Sequence, residues 1–184
     1  MWHRRRRNRP RRATLPFDFE NMLIAHLAEH PAHIPTLAAW AYQEWGHLFP
    51  DETYATLVSE FAERAAAPAI PATYIALEQT TLLGMASLAQ EDLPIRPELS
   101  PWLADVYVLP EYRQRGLGAQ LIRTILLAAE RLGVTQLYLF TADKIEFYRR
   151  LGWQVCEVTM YRGEQVTIMS YQLRTYALPP SIPP

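Results

Sequence analysis

Apolar positions along this chain change between a two-residue and a three-to-four-residue period, and each change marks an element boundary. The segment "MLIAHLA" (22–28) predicts a strand, and in "IPTLAAWAYQEWG" (34–46) Leu37, Trp40, Ala41 and Trp45 share one helical face. "DETYATLVSEFAERAAA" (51–67) predicts a second helix, N-capped by Asp51, with Tyr54, Leu57, Val58 and Phe61 facing inward. "ATYIALEQ" and "LLGMASLAQ" predict an antiparallel pair turning at Thr80-Thr81, with Gly84 marking a bulge.

"EDLPIRPELSP" (91–101) carries three prolines and predicts a loop. "WLADVYVLP" (102–110) is the next strand, and a helix follows from about Gly116 with Leu117, Leu121, Ile125, Ala129 and Leu132 as its buried stripe. "VTQLYLF" (134–140) predicts a strand and "DKIEFYRRLG" (143–152) a short helix stopped by Gly152. "WQVCEVTMY" and "QVTIMSYQL" close the pattern as a hairpin around Arg162-Gly163.

The resulting order, β-α-α-β-β-β-α-β-α-β-β, is that of an α/β domain with a mixed, α+β-like sheet. Its central strand-helix-strand is a parallel crossover flanked by antiparallel strands. The expected organisation is a basic arm over 1–21, one domain over 22–173 and a proline-rich tail over 174–184.

Composition narrows the class. The 184 residues suffice for one domain with a substantial core, and no apolar run of about 18 residues exists to span a membrane. The single cysteine, Cys156, fits a reducing, cytoplasmic setting and sits between valines as a small core filler. The formal net charge of −1 conceals seven arginines within residues 4–12, so residues 13–184 carry −8. Such an arm is a disordered extension, a targeting segment or a contact for nucleic acid or an acidic membrane, whereas the acidic body favours a cationic partner. No histidine cluster or cysteine pair suggests a metal.

Candidate chemistry concentrates in "VYVLPEYRQRGLGAQLI" (106–122). A helix opening at Gly116 presents unpaired N–H groups and the positive end of its dipole, and glycines at 116 and 118 admit an anion to the backbone. Arg113 and Arg115 add fork-shaped donors, completing a cradle for a pyrophosphate. A P-loop lacks its Gly-Lys-Ser/Thr ending, and a dinucleotide fold lacks both its third glycine, replaced by Leu121, and its acidic strand end, replaced by Leu139, Phe140 and Thr141. Coenzyme A fits better.

The same stretch resembles the acetyl-CoA signature of the GNAT superfamily of N-acetyltransferases, Gln/Arg-x-x-Gly-x-Gly/Ala, here Arg113, Gly116 and Gly118. "LFTADKIEFYRRLGW" resembles the family's second cofactor segment, and the likeness extends over about residues 22–173. The resemblance implies a splayed central sheet and acetyl-CoA as cosubstrate. It implies backbone pairing of the pantetheine arm with Val106, Tyr107 and Val108, and an N–H near Val108 facing the thioester oxygen. Gln114, Arg115, Gly116, Leu117, Gly118 and Ala119 would line the pyrophosphate. Tyr148 would protonate the leaving thiolate. Many members carry Asn where this chain has Thr141, which offers one donor in its place.

For the base, Asp105 and Glu78 are candidates for relaying a proton through water, and each is equally readable as a solvated carboxylate. Glu44, Trp45 and His47, with the 162–163 hairpin tip, are candidates for acceptor binding. The expected acceptor is an amine-bearing small molecule or a protein N-terminus. An α-amine of pKa near 8 is about one-tenth neutral at pH 7, whereas a lysine leaves only about one in 2,500 neutral and demands a strong base. A monomer or homodimer is expected. The alternative is an acyl-CoA-binding or nucleic-acid-docking protein without transferase activity, using the arginine arm.

Overall fold

The computed structural model describes residues 21–49, 51–66 and 69–174. The expectations for the arginine arm and most of the proline-rich tail lie outside these residues. The elements are β1 (Met22–His26), α1 (Ile34–Trp45), α2 (Tyr54–Arg64), β2 (Ala72–Glu78), β3 (Thr81–Ala89), β4 (Trp102–Val108), α3 (Leu117–Arg131), β5 (Gln136–Thr141), α4 (Ile145–Arg150), β6 (Gln154–Tyr161) and β7 (Glu164–Gln172). Their order is the one the periodicity predicts. Among the described residues, seven strands form one mixed sheet in the order β1-β2-β3-β4-β5-β7-β6, in which only β4 and β5 run parallel.

Strand alternation divides the core between the two faces. Ala76 and Leu83 pack with α3 through Leu117, Leu121, Ile122 and Ile125, while Ile75, Leu77 and Met85 pack with α1 and α2 through Leu37, Ala41, Leu57 and Phe61. Each fully buried Leu, Ile or Phe contributes about 1.5–3 kcal/mol, so both helical layers are held chiefly by apolar burial.

Several local expectations change. Leu132 is 44% exposed, because α3 stops at Arg131 and Ala128 and Ile122 complete its buried stripe instead. Thr53, not Asp51, caps α2, because Thr53 and Thr56 exchange side-chain-to-backbone bonds in a capping box. Tyr54, at the first helical position, is therefore exposed. Cys156 is an exposed free thiol beside exposed Val155 and Val158, because β6 is an edge strand with an uncovered apolar row. In the β2–β3 pair the irregularity falls between Leu82 and Gly84. Gly84 itself answers a close approach: a Cβ there would lie 2.5 Å from the Tyr107 carbonyl oxygen.

A second irregularity positions the site. Asp105 lies within β4 at a left-handed φ of 51°, where β4 carries an extra residue against β3. The insertion inverts the alternation: Leu103 shares a face with Val106 and Val108, while Tyr107 turns to the α1–α2 side. Aspartate tolerates this backbone better than most residues.

Candidate active site

β4 and β5 meet at one register pair, Trp102↔Tyr138, and at the bond from the Tyr138 N–H to the Pro101 carbonyl (3.0 Å). Beyond it the strands diverge, and a cleft of about 1000 Å³ opens against Val106, Thr141 and Tyr148. The Tyr107 carbonyl points at Gly84 of β3. Because the peptide is planar and trans, the Val108 N–H on the same unit points the opposite way, toward the divergence. The Val108 carbonyl accepts from Arg113 Nε at 2.8 Å.

At the end of the divergence, Gln114 and Gly116 adopt φ of 61° and 91° before α3 begins. The first backbone bond of the helix runs from the Gln120 N–H to the Gly116 carbonyl, so the amides of residues 114–119 have no backbone acceptor among the described residues. A left-handed turn leading into unpaired first-turn amides is suited to an anion. Arg113 itself is partly engaged: it stacks on Tyr107 and lies 3.9 Å from Glu44. Arg115 stacks on Tyr112. The arginines thus frame the turn rather than project freely from it.

Tyr148 on α4 is 9% exposed and lines the cleft, its ring packed on Phe147 and Trp153. Burial, and then the nearby charges of Asp92 and Asp143, raise its pKa above the ordinary phenol value. The phenol therefore stays protonated at neutral pH and is a donor. Thr141 accepts the Lys144 N–H (3.1 Å) and so fixes the turn into α4.

The opposite wall is strongly ionic. Ten carboxyl and four cationic side chains line the cleft. Arg64 at the end of α2 pairs with Asp105 and with Glu60 (3.2 Å). Burial opposes the Arg64 charge, but Asp105, Glu60 and Asp92 outweigh it and raise its pKa. Glu52 is raised by burial and by Glu60 and Asp105. Asp92, in the loop after β3, is pushed up to about 8, first by burial at the cleft floor and then by Asp105.

Of the residues singled out in the sequence, Asp105, Val106, Thr141, Tyr148, Glu44, Trp45 and His47 line this cleft. Glu78, the last residue of β2, pairs with Met22 and Thr81 at the other side of the sheet and is not among its lining residues. The α1–α2 loop and the β6–β7 hairpin tip meet at the mouth, with His47 3.9 Å from Glu164 and Asp51 3.8 Å from Arg162. Sequence reasoning missed Arg64, Asp92 and Glu52. Arg64 had a signal, since it continues the buried spacing of Leu57 and Phe61, where a charged residue implies a partner.

The sheet thus parts beside a helix N-terminus, with a buried phenol in the gap. The chain belongs to the acetyltransferase (GNAT) family, whose model matches residues 34–153. The amino-acid acetyltransferase of Edwardsiella ictaluri is 29% identical over 105 residues, 55% of this chain and 24% of that protein. This chain therefore spans about a quarter of that relative's length. The fold is similar to that of yncA from Salmonella typhimurium, solved with its cofactor acetyl-CoA (TM-score 0.64, 19% identity, 88% of this chain and 99% of that one). It is also similar to aminoglycoside 6'-acetyltransferase type Ii (TM-score 0.65, 18% identity, 84% and 99%).

Proposed function

We propose that the chain is an acetyl-CoA-dependent N-acetyltransferase for a cationic primary amine, either an α-amine or a small-molecule amine. The observation that carries this reading is the parted β4–β5 pair, with outward-facing amides at one end and Tyr148 on its wall. Acetyl-CoA would supply an acyl carbon activated by a thiol leaving group. Toward it, the Val108 N–H would polarise the carbonyl, the amides of 114–119 would hold the pyrophosphate, and the Tyr148 hydroxyl would protonate the departing sulfur. The excess of carboxylates along the cleft supports a cationic acceptor.

The test is thiol release from acetyl-CoA with four amines: kanamycin, spermidine, a peptide with a free α-amine, and glutamate as an anionic control. Acetylation of one or more of the first three, with little or none of glutamate, is expected. Preference for glutamate would overturn the acceptor class, and no transfer to any amine would overturn the function.

Cosubstrate binding has its own test. A Cβ at Gly118 would sit 3.6 Å from Phe147 and 3.9 Å from Val108, ordinary contact distances, so Gly118→Val is compatible with the fold. Its methyl groups extend into the space the pyrophosphate needs. Calorimetry should show acetyl-CoA bound at least about tenfold more weakly, about 1.4 kcal/mol, with melting temperature nearly unchanged. Equal affinity would misplace the cradle.

A further inference from the structure

We propose that Asp92 is the general base, its carboxylate taking a proton from the acceptor's ammonium group. The inference rests on the amine-acetylating function proposed above and names the group that function leaves open. The sequence offers two carboxylates for the role, and neither fits it. Glu78 is not among the residues lining the cleft, and Asp105 is committed to Arg64. Asp92 lines the cleft with Tyr148 and makes no hydrogen bond or ion pair among the described residues.

Tyr148, nine-tenths buried, lines the same space without a hydrogen bond from its hydroxyl to any described residue. A proton acceptor and a proton donor thus border one cleft, both without hydrogen-bond partners among the described residues. The loop that carries Asp92 is braced. Leu93 beside it is buried, Ser100 and Gln90 bond across the base of the loop (2.7 Å), and Arg96 ties the loop to Glu157 of β6. A base on a braced loop keeps its aim.

The charged and titratable groups facing Asp92 are Asp105 on β4, Arg64 and Glu60 on α2, Glu52 before α2, and Tyr148 on α4. Arg64 is the one cation among them and is shared with Asp105 and Glu60. Burial and the surrounding carboxylates hold Asp92 near 8, a strength suited to deprotonating an ammonium group.

In the step, an N–H bond of the ammonium breaks, an O–H bond forms on Asp92, and that proton passes to solvent. The freed lone pair forms the C–N bond to the thioester carbonyl as the C–S bond breaks. The second amine proton leaves through Asp92, the sulfur takes the Tyr148 proton, and water restores it to the phenol. One proton is released per acetyl transferred.

Two measurements test this on the full chain. Carboxyl carbon NMR without ligand should show an aspartate titrating near pH 8 that is missing in Asp92→Asn. With acetyl-CoA and whichever of the four amines turns over fastest, Asp92→Asn should lower kcat/KM about 100-fold at pH 7.5. Its KM for acetyl-CoA should hold, while the rising limb of the pH profile, read with an accepted amine whose pKa lies well above 8, moves from near 8 to the amine's own pKa. Asp92→Glu should recover part of the rate and an acidic limb, and Glu78→Gln should retain the wild-type profile.

An unchanged profile in Asp92→Asn, with wild-type transfer intact, overturns the inference and leaves the proposed function standing. Absence of transfer by wild type overturns both. Should Asp92→Asn fail to fold, Asp92→Glu decides, and loss of the limb near 8 with no recovered rate counts against the base.

Discussion

Arg64→Met should be the most destabilising single change in the cleft, costing about 3–5 kcal/mol at pH 7.5. The Arg64 side chain is 15% exposed and its partner Asp105 is 17% exposed. Methionine keeps the length of the stem and its packing on Phe61, but removes the one charge that balances Asp105, Glu60 and Asp92. Breaking one side of a buried pair leaves the other desolvated and alone, which is costlier than never having had the pair. At about 2–4 °C per kcal/mol for a chain of this size, melting should fall by roughly 6–20 °C.

The sign of the pH dependence follows from the partners. Without Arg64 the carboxylates repel one another, so the variant binds protons more readily than wild type. Its deficit should therefore shrink as pH falls. Calorimetry at pH 5 and pH 8 measures both values. A loss below about 1 kcal/mol at pH 8 would show the pair to be effectively solvated.

Tyr148→Phe should lower kcat by about 100-fold or more while the KM for acetyl-CoA stays within about threefold of wild type. Phenylalanine keeps the ring against Phe147 and Trp153, so the substitution isolates the hydroxyl. Because burial raises the Tyr148 pKa above the ordinary phenol value, the wild-type rate should show no alkaline loss from this residue up to about pH 10. Steady-state kinetics with the fastest of the four amines measures both. Unaltered turnover would remove Tyr148 from the proton path.

The sheet and the helix order were legible because period-2 and period-3.6 patterns are set by which side chains must meet the core, and those are local in sequence. The turn at 113–118 was legible for the same reason, since two glycines between a strand and a helix constrain the backbone there. Errors fell where the outcome depends on neighbours distant in sequence. Cys156 is bracketed by valines like a core residue, yet among the described residues no strand pairs with the outer edge of β6. Asp51 and Thr53 are both good caps, and the reciprocal bond from Thr56 decided between them. Asp92 gave no signal at all, because a carboxylate in a proline-rich loop acquires its environment from α2, β4 and α4, which the fold alone brings to it.

The Asp92 carboxyl, without a partner among the described residues, also makes the protein's stability report on occupancy. Asp92 binds its proton more tightly in the folded chain (about 8) than in the unfolded one (about 3.9), so between those values folding takes up a proton. Stability from this group is then lost as pH rises through that window, and the cost is fully present above about pH 8. A cation seated against the ionised carboxylate reverses the cost, and must expel a proton to do so at lower pH. Acceptors that stay cationic at pH 8.5 should consequently raise the melting temperature more there than at pH 6, by mass action on the folded state. Alkaline buffer is thus where a thermal-shift search for the acceptor has its greatest contrast.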